Sequence, residues 1–153
     1  MRRRLCGLHL ILWISVASGF IPATAGAKAG ATDQTPVITP ASSDKLVVLW
    51  TSGDREVALK MVFMYALNAK RNSWWSDVTF IVWGPSSKLL SSDAELQAEI
   101  KKMKEAGVIL EACKACADSY GVSGKLQELG IDVKYMGRPL TAYIKEGRLV
   151  LTF

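Results

Sequence analysis

After residue 44 the chain alternates between two hydrophobic periods. Residues 46–50 (Leu-Val-Val-Leu-Trp), 78–83 (Val-Thr-Phe-Ile-Val-Trp), 108–110, 131–135 and 148–153 are short, nearly continuous apolar runs of strand length. Runs that are apolar on both faces predict strands of a parallel sheet covered by helices. The segments between them carry helical spacing. From Asp54 to about Ala69 the apolar residues Val57, Leu59, Met61, Val62, Phe63, Met64, Tyr65 and Leu67 surround the helix almost completely. One side can face the sheet and the rest needs another cover, which predicts a subunit interface. From about Asp93 to Ala106, Leu96, Ile100 and Met103 recur four and three apart and form one buried stripe. Lys101, Lys102 and Lys104 make its solvated face.

The punctuation agrees with this division. Ser52 or Asp54 can cap the first long helix, and Gly107, Gly121 and Gly130 stand where helices should end. Ser123 can cap a short helix through Leu129, and Pro139 suits the first turn of a last helix reaching about Lys145. Gly84-Pro85-Ser86-Ser87 reads as an exit turn, and Trp74-Trp75 as hinge packing in the polar loop 70–77. Strand and helix alternate throughout. The expected fold class is therefore α/β, with three layers and a mostly parallel five-stranded sheet flanked by helices. Ligands of such sheets collect at the carboxyl ends of the strands. The expected ligand-binding positions are accordingly Thr51, Ser52, Gly53, Gly84 and Arg138, the last able to meet an anion. None of these turns is a Walker A loop or a GxGxxG.

The first residues have a different pattern. Met1-Arg2-Arg3-Arg4 is a charged start, residues 5–20 are apolar, and Ala23-Thr24-Ala25-Gly26-Ala27 supplies small residues for cleavage. This predicts a secretory signal peptide over 1–27, a flexible Ala/Thr/Ser/Pro-rich linker over 28–44, and one domain over 45–153. The expected location is outside the cytoplasm, in the periplasm, with no stable membrane insertion after cleavage.

Cleavage alters the composition argument. Taking 27 from 153 residues leaves 126, enough for one compact domain. Three of the 19 basic residues leave with the signal while all 14 acidic ones remain, so the net charge falls from +5 to +2. A nucleic-acid partner then has no basic support. His9, the single histidine, and Cys6 are removed as well. No histidine base, no Cys-His site and no common zinc site can be assembled, so no metal and no cofactor are expected.

Candidate chemistry then narrows to Cys113 and Cys116. The run 108–110 ends at Glu111-Ala112 and a helix is expected to begin at once, which puts both thiols at a strand-to-helix junction. Three residues apart, they share one face of the first turn. Free N–H groups and the dipole favour a thiolate there, and Lys114 adds a positive charge. Cys113, nearer the free N–H groups, is the expected nucleophile, with Cys116 at most a resolving thiol. The competing reading is two small buried residues, since free cysteine is among the most buried types. A disulfide between them would close too small a loop to staple the fold.

These marks resemble the DsrE/DsrF-like family. They are a first strand followed by Thr51-Ser52-Gly53, an apolar first long helix, and a strand ending in Cys113 with Gly121-Val122 eight residues on. A short closing strand ends in Leu151-Thr152-Phe153. The resemblance covers residues 45–153. It implies a five-stranded α/β fold assembling as a homotrimer or hexamer. It also implies that a cysteine at the Cys113 position carries a persulfide and passes sulfur to a partner protein. Two departures stand out: sulfur-relay members are cytoplasmic, and they generally have a small residue where Cys116 stands. Three functions follow: an exported persulfide sulfur carrier or sulfurtransferase using Cys113, with a sulfur donor or acceptor protein as partner; a thiol–disulfide redox protein cycling Cys113 and Cys116; or a non-catalytic oligomeric module for a small anion.

Overall fold

The computed structural model describes residues 43–153. The expected signal peptide over 1–27 and all but the end of the linker over 28–44 lie outside the described residues. The domain opens with strand β1, Lys45–Trp50, as the apolar run predicted. Strands β2 (Asp77–Val82), β3 (Ile109–Cys113), β4 (Asp132–Lys134) and β5 (Leu149–Thr152) complete one sheet in the order β4-β3-β2-β1-β5. All four pairings are parallel, so every strand ends at the same edge of the sheet.

The two faces are covered unequally. Leu46, Val48 and Trp50 of β1, Val78, Phe80 and Val82 of β2, and Leu110 and Ala112 of β3 point to one face. The short α1 (Arg55–Val57) buries no residue; the π-helical segment after it (Ala58–Phe63) covers that face together with α2 (Met64–Arg71), α3 (Pro85–Ser92), α4 (Ala94–Glu105), α5 (Lys114–Ser119) and α6 (Ser123–Glu128). Trp50, Phe63 and Phe80 form its aromatic centre. The Phe63 ring lies 5.0 Å from Trp50 and 5.3 Å from Phe80. On the opposite face Val47, Ile81, Cys113 and Met136 are buried under α7 (Gly137–Lys145), through its Leu140 and Tyr143. Two helix layers around a parallel sheet give the expected three-layer architecture.

Several elements depart from the sequence reading. The first long helix runs α1, a π-helical segment (Ala58–Phe63) and then α2, so its middle is wound wider than an α-helix. Asp54 is its cap, accepting from the N–H groups of Glu56 and Val57 at 2.8 and 3.0 Å; the Ser52 hydroxyl accepts from Asp54 instead. Residues 85–92 form helix α3 rather than an exit turn, with Pro85 at its first position. Ser86 explains why. Its hydroxyl donates toward the Trp50 carbonyl at 2.7 Å and accepts the Trp83 N–H at 3.0 Å, tying the ends of β1 and β2 to the new helix. Ser123 does not cap α6. Val122 holds that position, and the Ser123 hydroxyl donates to Asp118 at 2.6 Å. Asp93 does cap α4 and also receives Arg55 at 2.7 Å, joining the starts of α1 and α4. Trp75 donates to the Tyr65 hydroxyl at 3.4 Å and packs against the core, as hinge packing predicts.

Candidate functional site

Strand β3 runs three residues beyond the apolar stretch that announced it, through Glu111 and Ala112 to Cys113. Alternation then puts Glu111 and Cys113 on the α7 face and Leu110 and Ala112 on the other. Cys113 keeps extended backbone angles and is the residue at which α5 begins, so Cys116 occupies the third helical position. Those two positions face each other across the first turn of a helix, as in a capping box. Both sulfurs belong to the cluster of Val47, Ile81 and Met136 under α7. Cys113 is buried, 4% exposed, whereas Cys116 is half-buried; neither is in a disulfide.

The electrostatics differ from the expectation in two respects. The Cys113 side chain makes no capping hydrogen bond, so the first N–H groups of α5 are not taken up by its sulfur. The Lys114 ammonium turns away to Asp118 at 2.5 Å and lies over the Tyr135 ring, so its charge is answered before it reaches the thiols. The N–H that reaches a sulfur comes from another strand exit. Gly84 holds φ +70 and ψ −136, a conformation that a side chain would strain, and this points its N–H towards Cys116. Burial pushes the Cys116 thiol up. The Gly84 N–H opposes this, and the neighbouring Cys113 sulfur pushes it higher again. Alkylation of Cys116 by iodoacetamide in a Cys113→Ala variant should therefore rise with pH. With Cys113 gone its midpoint should fall, but burial should hold it above the usual 9.0. A midpoint below that value would show that the N–H outweighs burial.

The remaining expected site residues separate into three groups. Thr51 and Ser52 are engaged in holding β5. Their N–H groups donate to the Phe153 carbonyl at 2.7 and 3.1 Å, and the Thr51 hydroxyl donates to it as well, at 2.7 Å. Gly53 lies so close to the next turn that an added Cβ would meet Pro85 at 3.3 Å. Together they line a cleft of ≈ 450 Å³ with Lys88, Leu89, Ser92 and Tyr120. Neither cysteine lines this cleft. Arg138 stands elsewhere, exposed at the start of α7 in a groove with Gly137, Thr141, Ala142 and Lys145. The structure thus joins Gly84 to the two cysteines, and leaves Gly53 and Arg138 in separate clefts.

Sequence reasoning missed a buried carboxylate beside the thiols. Glu111, 3% exposed, receives the Tyr143 hydroxyl at 2.9 and 3.1 Å and the Lys134 ammonium at 2.7 Å. Burial disfavours the Lys134 charge, but the hydrogen bonds and attraction of Asp132, at 2.6 Å, and Glu111 outweigh it and hold Lys134 well above the ordinary lysine value. Burial, with the negative Glu111 beside it, pushes the Tyr143 phenol up too. Arg148 stacks on the other side of that ring, 4.1 Å from its centroid. α7 has no fully buried residue, so this network is its principal polar attachment to the sheet above Cys113. The signal in the sequence was a charge inside an apolar strand at the same alternation as Cys113.

Among the described residues no group of three or more His, Cys, Asp or Glu side chains gathers as a metal site. No helix there is long and apolar enough to cross a membrane. Fold and site together define a parallel α/β protein with a thiol pair where a strand passes into a helix. Residues 44–153 match the DsrE/DsrF-like family, and the chain belongs to it. A conserved protein of unknown function from Bacteroides thetaiotaomicron has a similar structure, with 43% identity and a TM-score of 0.70, covering 72% of this chain and 95% of that one. The ychN protein from E. coli shares the fold at 15% identity and a TM-score of 0.57, covering 72% of this chain and 99% of its own. No curated protein matches the chain.

Proposed function

We propose that the protein is an exported sulfur carrier in which Cys113 takes up sulfane sulfur as a persulfide and hands it to an acceptor thiol. The supporting observation is the placement of Cys113 at the exit of β3, beside the turns of β1 and β2, in a member of the DsrE/DsrF-like family. In the loading step the Cys113 thiolate attacks a sulfane sulfur, and the donor leaves with the bonding electron pair. In the transfer step an acceptor thiolate attacks the outer sulfur and Cys113 leaves as a thiolate. Loading the Cys116→Ala variant, which has no second thiol to displace the sulfur, with inorganic polysulfide, followed by cyanide, tests this reading. One thiocyanate per chain is expected, and none would refute it.

Export rests on the n-region, the apolar stretch and the small residues of 1–27. Amino-terminal sequencing of the secreted protein should begin near Gly26 or Lys28. A retained Met1 would contradict export.

The working form is a homo-oligomer, most simply a trimer. Val57, Met61 and Met64, spaced four and three apart on the first long helix, stay exposed at 36%, 53% and 55%. Burying such a stripe stabilises association by about 25 cal/mol for each Å² removed from water. Light scattering should report several chains per particle, and Met61→Glu with Met64→Glu should reduce this to one. A monomer before substitution would exclude this interface.

A further inference from the structure

We propose that Cys116 is a built-in resolving thiol that discharges the Cys113 persulfide as hydrosulfide, giving the protein a sulfide-releasing activity besides transfer to an acceptor. This rests on the reading of Cys113 as the sulfur-bearing residue. Three observations carry it. Cys113 and Cys116 stand at the junction and at the third position of the same helical turn. In that relation their Cβ atoms are neighbours about 5–6 Å apart, so a disulfide, with Cβ atoms about 3.5–4.5 Å apart, forms after a shift of roughly 1–2 Å at the junction. Both pack into one apolar cluster under α7, so the two sulfurs are enclosed together rather than facing separate surroundings. Finally, Cys113 is 4% exposed whereas Cys116 is half-buried, so of the two only Cys116 opens a way out for a small anion.

The step balances without an added oxidant. The Cys116 thiolate attacks the inner sulfur of the persulfide, which is Sγ of Cys113. The bond from Cys113 to the outer sulfur breaks, and that sulfur departs with the electron pair as hydrosulfide. A new bond joins the two cysteine sulfurs; the Cys116 sulfur is oxidised as the outer sulfur is reduced, and Cys113 Sγ keeps its oxidation level. The proton released from Cys116 ends on the departing hydrosulfide through solvent. A small dithiol then reduces the disulfide by exchange and restores both thiols.

Both outcomes open to a loaded Cys113 follow from the same geometry. Transfer needs an acceptor to approach a covered sulfur, whereas resolution needs only a neighbour already in place. The chain itself thus sets how long sulfur is held, and the residue at 116 sets the branch.

The experiment loads the full mature protein, its Cys116→Ala and Cys116→Ser variants, and Cys113→Ala with inorganic polysulfide. Excess reagent is removed, and sulfide and intact mass are followed without reductant. The protein with both thiols should release sulfide and finish two hydrogens lighter, as the disulfide. Both Cys116 variants should retain one added sulfur and release none, which shows that a folding defect in one variant is not the cause. If the protein with both thiols instead keeps its added sulfur with no sulfide and no disulfide, the resolving role is refuted while the carrier reading stands. If the Cys116 variants take up no sulfur at all, the carrier reading itself fails and this inference falls with it.

Discussion

Cys113→Ala will lose all sulfane sulfur loading, and Cys113→Ser will lose it equally. Serine keeps the size and a polar atom but cannot form a persulfide, so the pair separates chemistry from packing. Folding should survive, because Cys113 is a small residue at the end of a strand whose other partners remain. The pairing of Ala112 with Val82 and Val133 holds that end of β3 in register. Cys116→Ala should still load, since its sulfur supplies neither the first bond nor a support for β3. Cyanolysis after polysulfide treatment reads the difference as presence or absence. Loading that persists in Cys113→Ala and disappears in Cys116→Ala would move the nucleophile one turn along the helix.

The largest stability effect is expected at the aromatic centre. Phe80 is fully buried in β2, 5.3 Å from the Phe63 ring and 6.0 Å from Trp50. Truncation to alanine removes the ring that both neighbours lean on and leaves a cavity under six helical pieces. Such changes cost about 3–5 kcal/mol, a large share of the roughly 5–15 kcal/mol that stabilises a domain. Urea unfolding of Phe80→Ala should show a much lower midpoint at an unchanged slope. A loss below about 1 kcal/mol would mean that the core closes over the gap, against the packing described. The site should feel this substitution, because Ser86 ties the ends of β1 and β2 together just ahead of the Gly84 turn.

Much of the fold was legible because it rests on local signals. Five apolar runs, glycines at helix ends and Asp54 as a cap are read along the chain, and alternation of strand and helix restricts the sheet to parallel pairing. Helix α3 was not legible, because Pro85-Ser86-Ser87 looks like a turn until the Ser86 hydroxyl finds the Trp50 carbonyl and the Trp83 N–H at the ends of two strands. The π-helical stretch, whose buried residues are Ala58, Val62 and Phe63, carries no mark in the sequence that separates it from an α-helix. At the site, Cys113 and Cys116 were visible from their spacing. Their burial was not, because α7 comes from a segment more than twenty residues later. Lys114 looked like a partner for the thiols and instead pairs with Asp118, one helical turn on. Glu111 was passed over as the end of a strand. Its role depends on Lys134 and Tyr143, which only the folded chain brings to it. The hydrogen bonds that the Thr51 and Ser52 N–H groups and the Thr51 hydroxyl make to Phe153 were equally invisible, because their partner lies about a hundred residues along the chain.

Intact and peptide mass spectrometry of the protein, isolated from its native cells without reductant and with free thiols blocked at once, tests the central claim most directly. The account predicts a fraction of chains carrying one extra sulfur on the peptide containing Cys113, with the remainder as free thiols or the Cys113–Cys116 disulfide. Two unmodified thiols in every chain, unchanged after exposure to polysulfide, would contradict it.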